Sequence, residues 1–287
     1  MMESDGSNGI GSAVVVGLGL MGGSLARDLA ARGVRVFGWE TDRARLRAAV
    51  EAGIVEEGYG HPVDVVVLAG PVLTIPSLLR VVLDTLEPHL DAVRLVTDLG
   101  STKSSIIRAA EEMGIGDRFV GSHPLAGDHR SGWDASRAGL YADARVFLSP
   151  TRQTTDDAMR LASALWAGVG ARPEVIDADL HDVRMAWRSH LPQVVSTALG
   201  LTIAQTGSVP ADLGPGGRDV TRLAGSSPEM WADILLDNAD ALNSALAMMG
   251  VHLKDLHQAI VDGDRARLMR LLTEARNWHR EGRDPVS

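Results

Sequence analysis

"SAVVVGLGLMGGSLARDLAARGVRVFGWETD", residues 12–42, decides the fold. Residues 13–16 are a short valine-rich run and read as a strand. Gly17, Gly19 and Gly22 follow at GxGxxG spacing, and Leu25, Leu29 and Ala30 then recur with helical period. Gly33 closes the helix, and residues 34–40 form a second strand. Each glycine has a mechanical reason. Gly17 permits the tight turn, Gly19 lets a pyrophosphate approach the backbone, and Gly22 lets the helix pack against the strand. The spacing alone is a weak signal, but its place between a strand and a helix makes it specific. Glu40, at the end of the second strand, is positioned to accept hydrogen bonds from ribose hydroxyls and to repel a 2′-phosphate, which favours NAD over NADP. Arg43, three residues on, is a cation that could reach a 2′-phosphate. The cofactor contacts are assigned to Gly17, Leu18, Gly19, Leu20, Met21 and Gly22, to Glu40, and to Gly70 at the end of the next strand.

Strand and helix keep alternating outward from this unit. Residues 63–70, 93–100, 118–124, 144–150 and 173–178 read as strands, with helices at 42–53, 75–90, 102–114 and about 154–168. The expected fold is α/β: a Rossmann-type, doubly wound parallel sheet over residues 1–176. Ligands of such sheets bind beyond the carboxyl ends of the strands, where "GLGLMG", "DLGSTK" and "GSHPLAG" all fall. From Asp177 the strand signals stop. Residues 177–287 read as an all-α domain, with Pro192 kinking a long helix, a loop at "GPGGRD", Ser227 and Pro228 starting a later helix, and breaks at Gly250 and Gly263. Apolar stripes over 229–272 suit core or a dimer surface.

The 287 residues carry a net charge of −9, without a basic stripe, so no nucleic-acid partner is expected. Cysteine is absent, which removes disulfides, thiolate catalysis and cysteine metal sites; no metal is expected. The N-terminus lacks the pattern of a signal peptide, and no apolar run reaches membrane-spanning length, so a cytoplasmic protein without a membrane partner is expected. Only Lys103 and Lys254 are lysines among 28 basic residues, which singles out Lys103 in "DLGSTK"; the plainer reading of it is a solvated cation in a first helical turn.

"GLGLMGGS", "DLGSTKSSI", "GSHPLAG", "HDVRMAWRSHLPQ" and "GGRDVTRLAGSSPEMWADI" stand in that order, and the chain resembles the prephenate dehydrogenase family, arogenate dehydrogenases included, over about residues 12–280. The resemblance implies NAD-dependent oxidative decarboxylation of prephenate to 4-hydroxyphenylpyruvate, on the route to tyrosine, by a homodimer. By motif position it implies that His123 hydrogen-bonds the substrate hydroxyl and takes its proton. Ser101 orients that histidine and the nicotinamide, and Arg222 grips a substrate carboxylate. His190 is a second pocket histidine. Gly121 and Gly127 read as letting the loop bend around His123. Rival readings are an ion-paired helix residue for Arg222 and packing beside Pro192 for His190. His181 and Asp182 read as capping or bracing the long helix.

Several positions depart from the family pattern: Asp128 and His129 after GSHPLAG, Gln193 closing SHLPQ, and Gly217 before RDVTR. Asp128, His129 and Gln193 are therefore placed at the substrate, and an acid at 128 could favour an ammonium-bearing substrate such as arogenate. 4-Amino-4-deoxyprephenate is a further alternative. A chain ending near residue 287 leaves no room for an ACT or chorismate mutase domain, so tyrosine control through an ACT domain is not expected. A β-hydroxyacid dehydrogenase or imine reductase would normally place a lysine on the inter-domain helix, and none lies between 104 and 253. A non-catalytic NAD-binding protein would lack the histidine or the arginine.

Overall fold

A computed structural model describes residues 9–58, 62–128 and 130–281. The chain divides into two compact units between Ala239 and Asp240.

The first unit is built on one sheet. Strands β1 (Ser12–Val16), β2 (Arg35–Trp39), β3 (Glu56–Glu57), β4 (Val65–Leu68), β5 (Leu95–Asp98), β6 (Phe119–Pro124), β7 (Arg145–Pro150) and β8 (Arg172–Val175) lie in the order β3-β2-β1-β4-β5-β6-β7-β8. The order reverses between β1 and β4, which opens a crevice at their carboxyl ends beside Gly17 and Gly70. All neighbouring pairs are parallel except β6–β7. The doubly wound parallel sheet is as expected, with this one antiparallel pair within it. A parallel return needs a crossover element, and among the described residues the connection from β6 to β7 holds only the 3-10 turn Trp133–Ala135. The two-residue β3 has no counterpart in the sequence reading.

Helices α1 (Leu20–Ala31), α2 (Arg43–Glu51), α3 (Ile75–Leu86), α4 (Ser104–Glu112) and α5 (Asp156–Gly168) cover the sheet. The period-2 pleat sorts the valines between two cores. Val15 and Val67 join Leu25, Leu148 and Trp166 on one side. Val14 and Val66 join Leu79, Ile106 and Phe119 on the other.

After β8 the chain is helical: α6 (Ala178–Met185), a π-helical turn at Ala186–His190, α7 (Leu191–Ala204), α8 (Pro215–Thr221), a 3-10 turn at Arg222–Gly225 and α9 (Pro228–Asp237). The irregularity expected at Pro192 takes the form of that π turn within one continuous helix. The helix runs on without a gap from α6 through that turn into α7, and the wider π turn accommodates Pro192, which has no N–H to give to the preceding turn. "GPGGRD", expected as a loop, instead starts α8 with Pro215 as its first residue. Ser227 caps α9, its Oγ accepting from the Met230 N–H at 3.4 Å.

The second unit holds α10 (Ala239–Val261) and α11 (Arg265–Glu281), parted at Gly263, whose φ is +63°. The break expected at Gly250 does not occur. One interior glycine costs about 1 kcal/mol, which a 23-residue helix absorbs. Val251, Leu253, Ile260, Leu272 and Trp278 are exposed on these helices, large apolar side chains of the kind that association covers.

Candidate active site

The first feature is a cradle at the carboxyl ends of β1, β2 and β4. A Cβ on Gly17 would meet the Ala69 carbonyl at 2.7 Å, and φ is +96° there. A Cβ on Gly22 would meet the Gly17 carbonyl at 2.0 Å. Both glycines are therefore required by the turn itself. Gly19 is different: a Cβ there meets nothing within 4 Å, so the space beside its backbone is open. Gly19 is also the N-cap of α1 and offers no side-chain cap, and no acidic residue stands in the first turn. The first N–H groups of α1 are thus left for an anion, which fits a dinucleotide pyrophosphate.

Glu40 follows β2 directly and is 9% exposed. It accepts from the Leu18 N–H at 2.9 Å, the Asp42 N–H at 3.1 Å and Arg45 Nη1 at 3.0 Å. Burial opposes its ionisation, but these donors outweigh burial and hold the carboxyl below its ordinary range. Glu40 also lines a cavity of about 550 Å³ with Gly38, Trp39, Thr41 and Arg43. A carboxylate held ionised in that wall suits ribose hydroxyls and repels a 2′-phosphate. Arg43 pairs with Glu57 at 3.0 Å, while Arg45, which the sequence did not single out, is the cation beside Glu40.

The second feature lies past β5 and β6. His123, next to the end of β6, is half-buried and lines a cavity of about 460 Å³ with Gly127, Arg145, Phe147, Arg188 and Ser189. Its Nδ1 lies 2.9 Å from His181 Nε2, and His181 Nδ1 lies 2.8 Å from Asp182 Oδ1. Asp182 in turn accepts the N–H groups of Lys103 and Ser104, both at 2.8 Å, at the start of α4. Burial, then the neighbouring His181, Lys103 and His190, push the His123 imidazole well below its ordinary value, so it is neutral at pH 7.

Prephenate dehydrogenase, nucleotide-binding domain, matches residues 25–175, and prephenate dehydrogenase, dimerization domain, matches residues 177–274. The chain belongs to the prephenate dehydrogenase family. It is 34% identical to the cyclohexadienyl dehydrogenase of Zymomonas mobilis, over 87% of this chain and 89% of that protein. The crystal structure of Aquifex aeolicus prephenate dehydrogenase in complex with hydroxyphenyl propionate and NAD+ is 33% identical, with a TM-score of 0.82 over 94% of this chain and 97% of that one. Synechocystis arogenate dehydrogenase is 29% identical, with a TM-score of 0.75 over 94% and 99%. As a member of this family the chain is an NAD-dependent oxidoreductase acting on a small molecule, and NAD is its cofactor.

The other residues assigned from the prephenate dehydrogenase motifs fall in distinct places. Ser101 lies just beyond β5 and makes no side-chain hydrogen bond among the described residues. Arg222 opens the 3-10 turn Arg222–Gly225 and is exposed; it does not line the His123 cavity. It has no ion pair among the described residues, against the reading of it as an ion-paired helix residue. Gln193, assigned to the substrate, donates from Nε2 to the Leu223 carbonyl at 2.8 Å while its buried Oε1 has no partner among the described residues, and Ser196 Oγ accepts from the Ala224 N–H at 3.1 Å. α7 thus clamps the turn that presents Arg222. Asp128 is engaged by Arg130 at 2.9 Å and Arg137 at 3.0 Å. His129 lies outside the described residues.

Two readings of the loop motifs are corrected. Lys103 is not solvated. It is fully buried and paired with Asp98, also fully buried, whose carboxylate further accepts the N–H groups of Gly100 at 2.7 Å and Ser122 at 3.1 Å. Gly121 lies inside β6, where a Cβ would meet Lys103 Cδ at 3.1 Å; it makes room for the lysine stem and bends nothing. His181 and Asp182 brace α4 and His123, not their own helix. The signal for them in the sequence was the His-Asp pair opening the SHLPQ helix, but no spacing rule says which strand such a pair faces.

His190 is buried near Trp231, their rings 6.0 Å apart, and Asn238 donates to its Nδ1 at 3.1 Å and to the Asp182 carbonyl at 2.8 Å. Burial pushes His190 down to about 4. In the unfolded chain it titrates near 6.5. Between those values the unfolded chain binds a proton that the folded chain refuses. Stability present above pH 6.5 is therefore lost as pH falls toward 4, by roughly 3 kcal/mol for a shift of this size. His123 and His181 shift the same way. Urea midpoints are expected to fall between pH 7.5 and 5, and His190→Gln is expected to flatten that fall; an unchanged slope in the variant would show that His190 does not set it.

Proposed function

We propose that the protein catalyses the NAD-dependent oxidative decarboxylation of prephenate to 4-hydroxyphenylpyruvate. The observation that carries this reading is an imidazole, His123, lining a cavity with two guanidinium groups at the same strand-end edge of the sheet as the dinucleotide cradle. Bound NAD+ supplies the acceptor for the hydride that leaves the hydroxyl-bearing ring carbon. His123 takes the hydroxyl proton at Nε2, the nitrogen not engaged by His181. The ring carboxylate leaves as CO₂, its bonding electrons aromatise the ring, and the proton held on His123 returns to the oxygen. The family motif assigns one carboxylate of the dianion to Arg222, which would have to reach it from outside the His123 cavity of this chain. Arg188, which has no ion pair or hydrogen bond among the described residues, lies in the His123 cavity where it supports binding of the other. Ser101 sits within the same strand-end loops and orients the nicotinamide side.

Arogenate, which carries an ammonium group, is the second reading. It needs a receptor for that ammonium, and Asp128 is the acid the sequence offers. The ion pairs of Asp128 with Arg130 and Arg137 weigh against it. We also infer a division into a dinucleotide-binding domain over 1–176 and a substrate and dimerisation domain over 177–287, supported by the two family matches meeting at that point. A homodimer is supported by the dimerization-domain match and the apolar surface of α10 and α11. A cytoplasmic location is part of the same reading. No helix of the described residues is long and apolar enough to cross a membrane.

The test is NADH appearance at saturating NAD+, with prephenate and arogenate compared side by side. The higher kcat/KM is expected with prephenate, and a higher value with arogenate would reverse the assignment. Arg222→Ala is expected to raise the KM for prephenate about 10- to 100-fold, the loss of one charge-assisted pair, while NAD+ affinity by tryptophan fluorescence holds. An unchanged KM would remove Arg222 from the substrate site.

A further inference from the structure

His181 is fully buried, with the Phe147 ring 5.5 Å away and the His123 ring 5.1 Å away, both edge-on. Its two nitrogens are both committed, Nε2 to His123 and Nδ1 to Asp182. The proton positions follow from what each partner can do. Asp182 receives the Lys103 N–H on Oδ1 and the Ser104 N–H on Oδ2, and despite its burial those bonds and His181 hold its carboxyl below the ordinary range. An ionised carboxylate only accepts, so His181 Nδ1 carries the ring proton. A neutral His181 then has a lone pair at Nε2, and that lone pair can only accept. His123 must therefore donate from Nδ1, which leaves its own lone pair on Nε2.

We propose that His181, backed by Asp182, is a positioning residue: it holds His123 in the tautomer whose Nε2 accepts the substrate's hydroxyl proton, and it steadies the imidazolium formed when that proton arrives. The proposal rests on the reading of His123 as the base. It goes beyond that reading by assigning the orientation of the base to a second imidazole, and the stability of the charged form to a carboxylate two hydrogen bonds away. The backbone N–H groups at the start of α4 fix that carboxylate, so the relay is anchored to the loop that carries Ser101 and Lys103. An orienting acid behind a catalytic imidazole has the same task in hydrolase triads, where its loss puts the imidazole in the wrong tautomer.

The experiment is nitrogen NMR of the full-length protein with ¹⁵N-labelled histidine, with spectra of His123→Asn and His181→Phe used for assignment. In the unsubstituted protein His123 is expected to show a protonated, pyrrole-type Nδ1 and a pyridine-type Nε2. In His181→Phe both tautomers should be populated. There kcat should fall about 10- to 100-fold, less than on loss of the base itself. The KM for prephenate and the Kd for NAD+ should stay close to those of the unsubstituted enzyme. His181→Gln, whose amide oxygen can accept from His123 Nδ1, should recover part of the rate. A His123 protonated at Nε2 in the unsubstituted protein overturns the proposal, and this result needs no variant to retain its fold beyond assignment. Unchanged shifts and unchanged kcat in His181→Phe overturn it as well. If instead His123→Asn keeps its full rate, the base reading itself fails, which is a separate result from either of these.

Discussion

His123→Asn is expected to bind NAD+ as the parent does and to turn prephenate over about 10²- to 10⁴-fold more slowly, the usual cost of losing a positioned general base. The side chain is close in shape to one edge of the imidazole. Its amide can still donate toward His181, so the relay of hydrogen bonds to Asp182 stays occupied. What the amide cannot do is take up a proton. The hydroxyl of the substrate would have to lose its proton to water while hydride leaves the same carbon. The loss should therefore appear in kcat and in kcat/KM alike, with the prephenate KM little altered. Because the neutral imidazole is the working form, the parent's kcat/KM should also fall on the acid side as His123 is protonated, and this limb should vanish in the variant. A variant with parental kcat would show that no group at this position accepts the proton.

Lys103→Met is expected to destabilise the fold by about 3–5 kcal/mol, the range for breaking a buried ion pair from one side. The ammonium and the Asp98 carboxylate are both fully buried. Burial pushes the Asp98 carboxyl up, and the ammonium with two backbone N–H groups opposes that. Methionine fills the volume of the stem but leaves the carboxylate with only the Gly100 and Ser122 N–H groups. The Ser122 bond holds the strand one residue before His123, so activity should fall along with stability. Lys103→Met with Asp98→Leu should regain only part of the loss, because leucine leaves those two N–H groups without an acceptor. Urea unfolding measures each variant. A single substitution costing under about 1 kcal/mol would mean that water reaches Asp98 and that the pair is not sealed.

Much of this protein was legible as local pattern. The glycine spacing and the valine-rich strands depend on turn sterics and on the period-2 pleat, which act between near neighbours. They placed the dinucleotide cradle, Glu40 and the change to helices after residue 176 without any tertiary information. Pro192 announced a distortion of its helix for a similar reason, since a missing N–H is a property of the residue itself. Gly250 misled because a breaker's cost is small beside the length of α10.

The candidate site was legible only in part. His123, Ser101, Arg222 and His190 could be named from motif order, but their surroundings could not. His181 reaches His123 across 58 positions, and Asp182 reaches the Lys103 N–H across 79. Gln193 holds the Leu223 carbonyl 30 positions away. Hydrogen bonds of that range are set by how the helices pack on the sheet, and no periodicity in the chain encodes them. Lys103 shows the same division most clearly. A lysine near a helix start is solvated by default, and only the closing of β5 and β6 around Asp98 turns it into a buried cation. By itself the sequence determined which elements form and where a dinucleotide can lie. The tertiary structure alone decided which side chains meet at His123, because burial and pairing are properties of the packed interior.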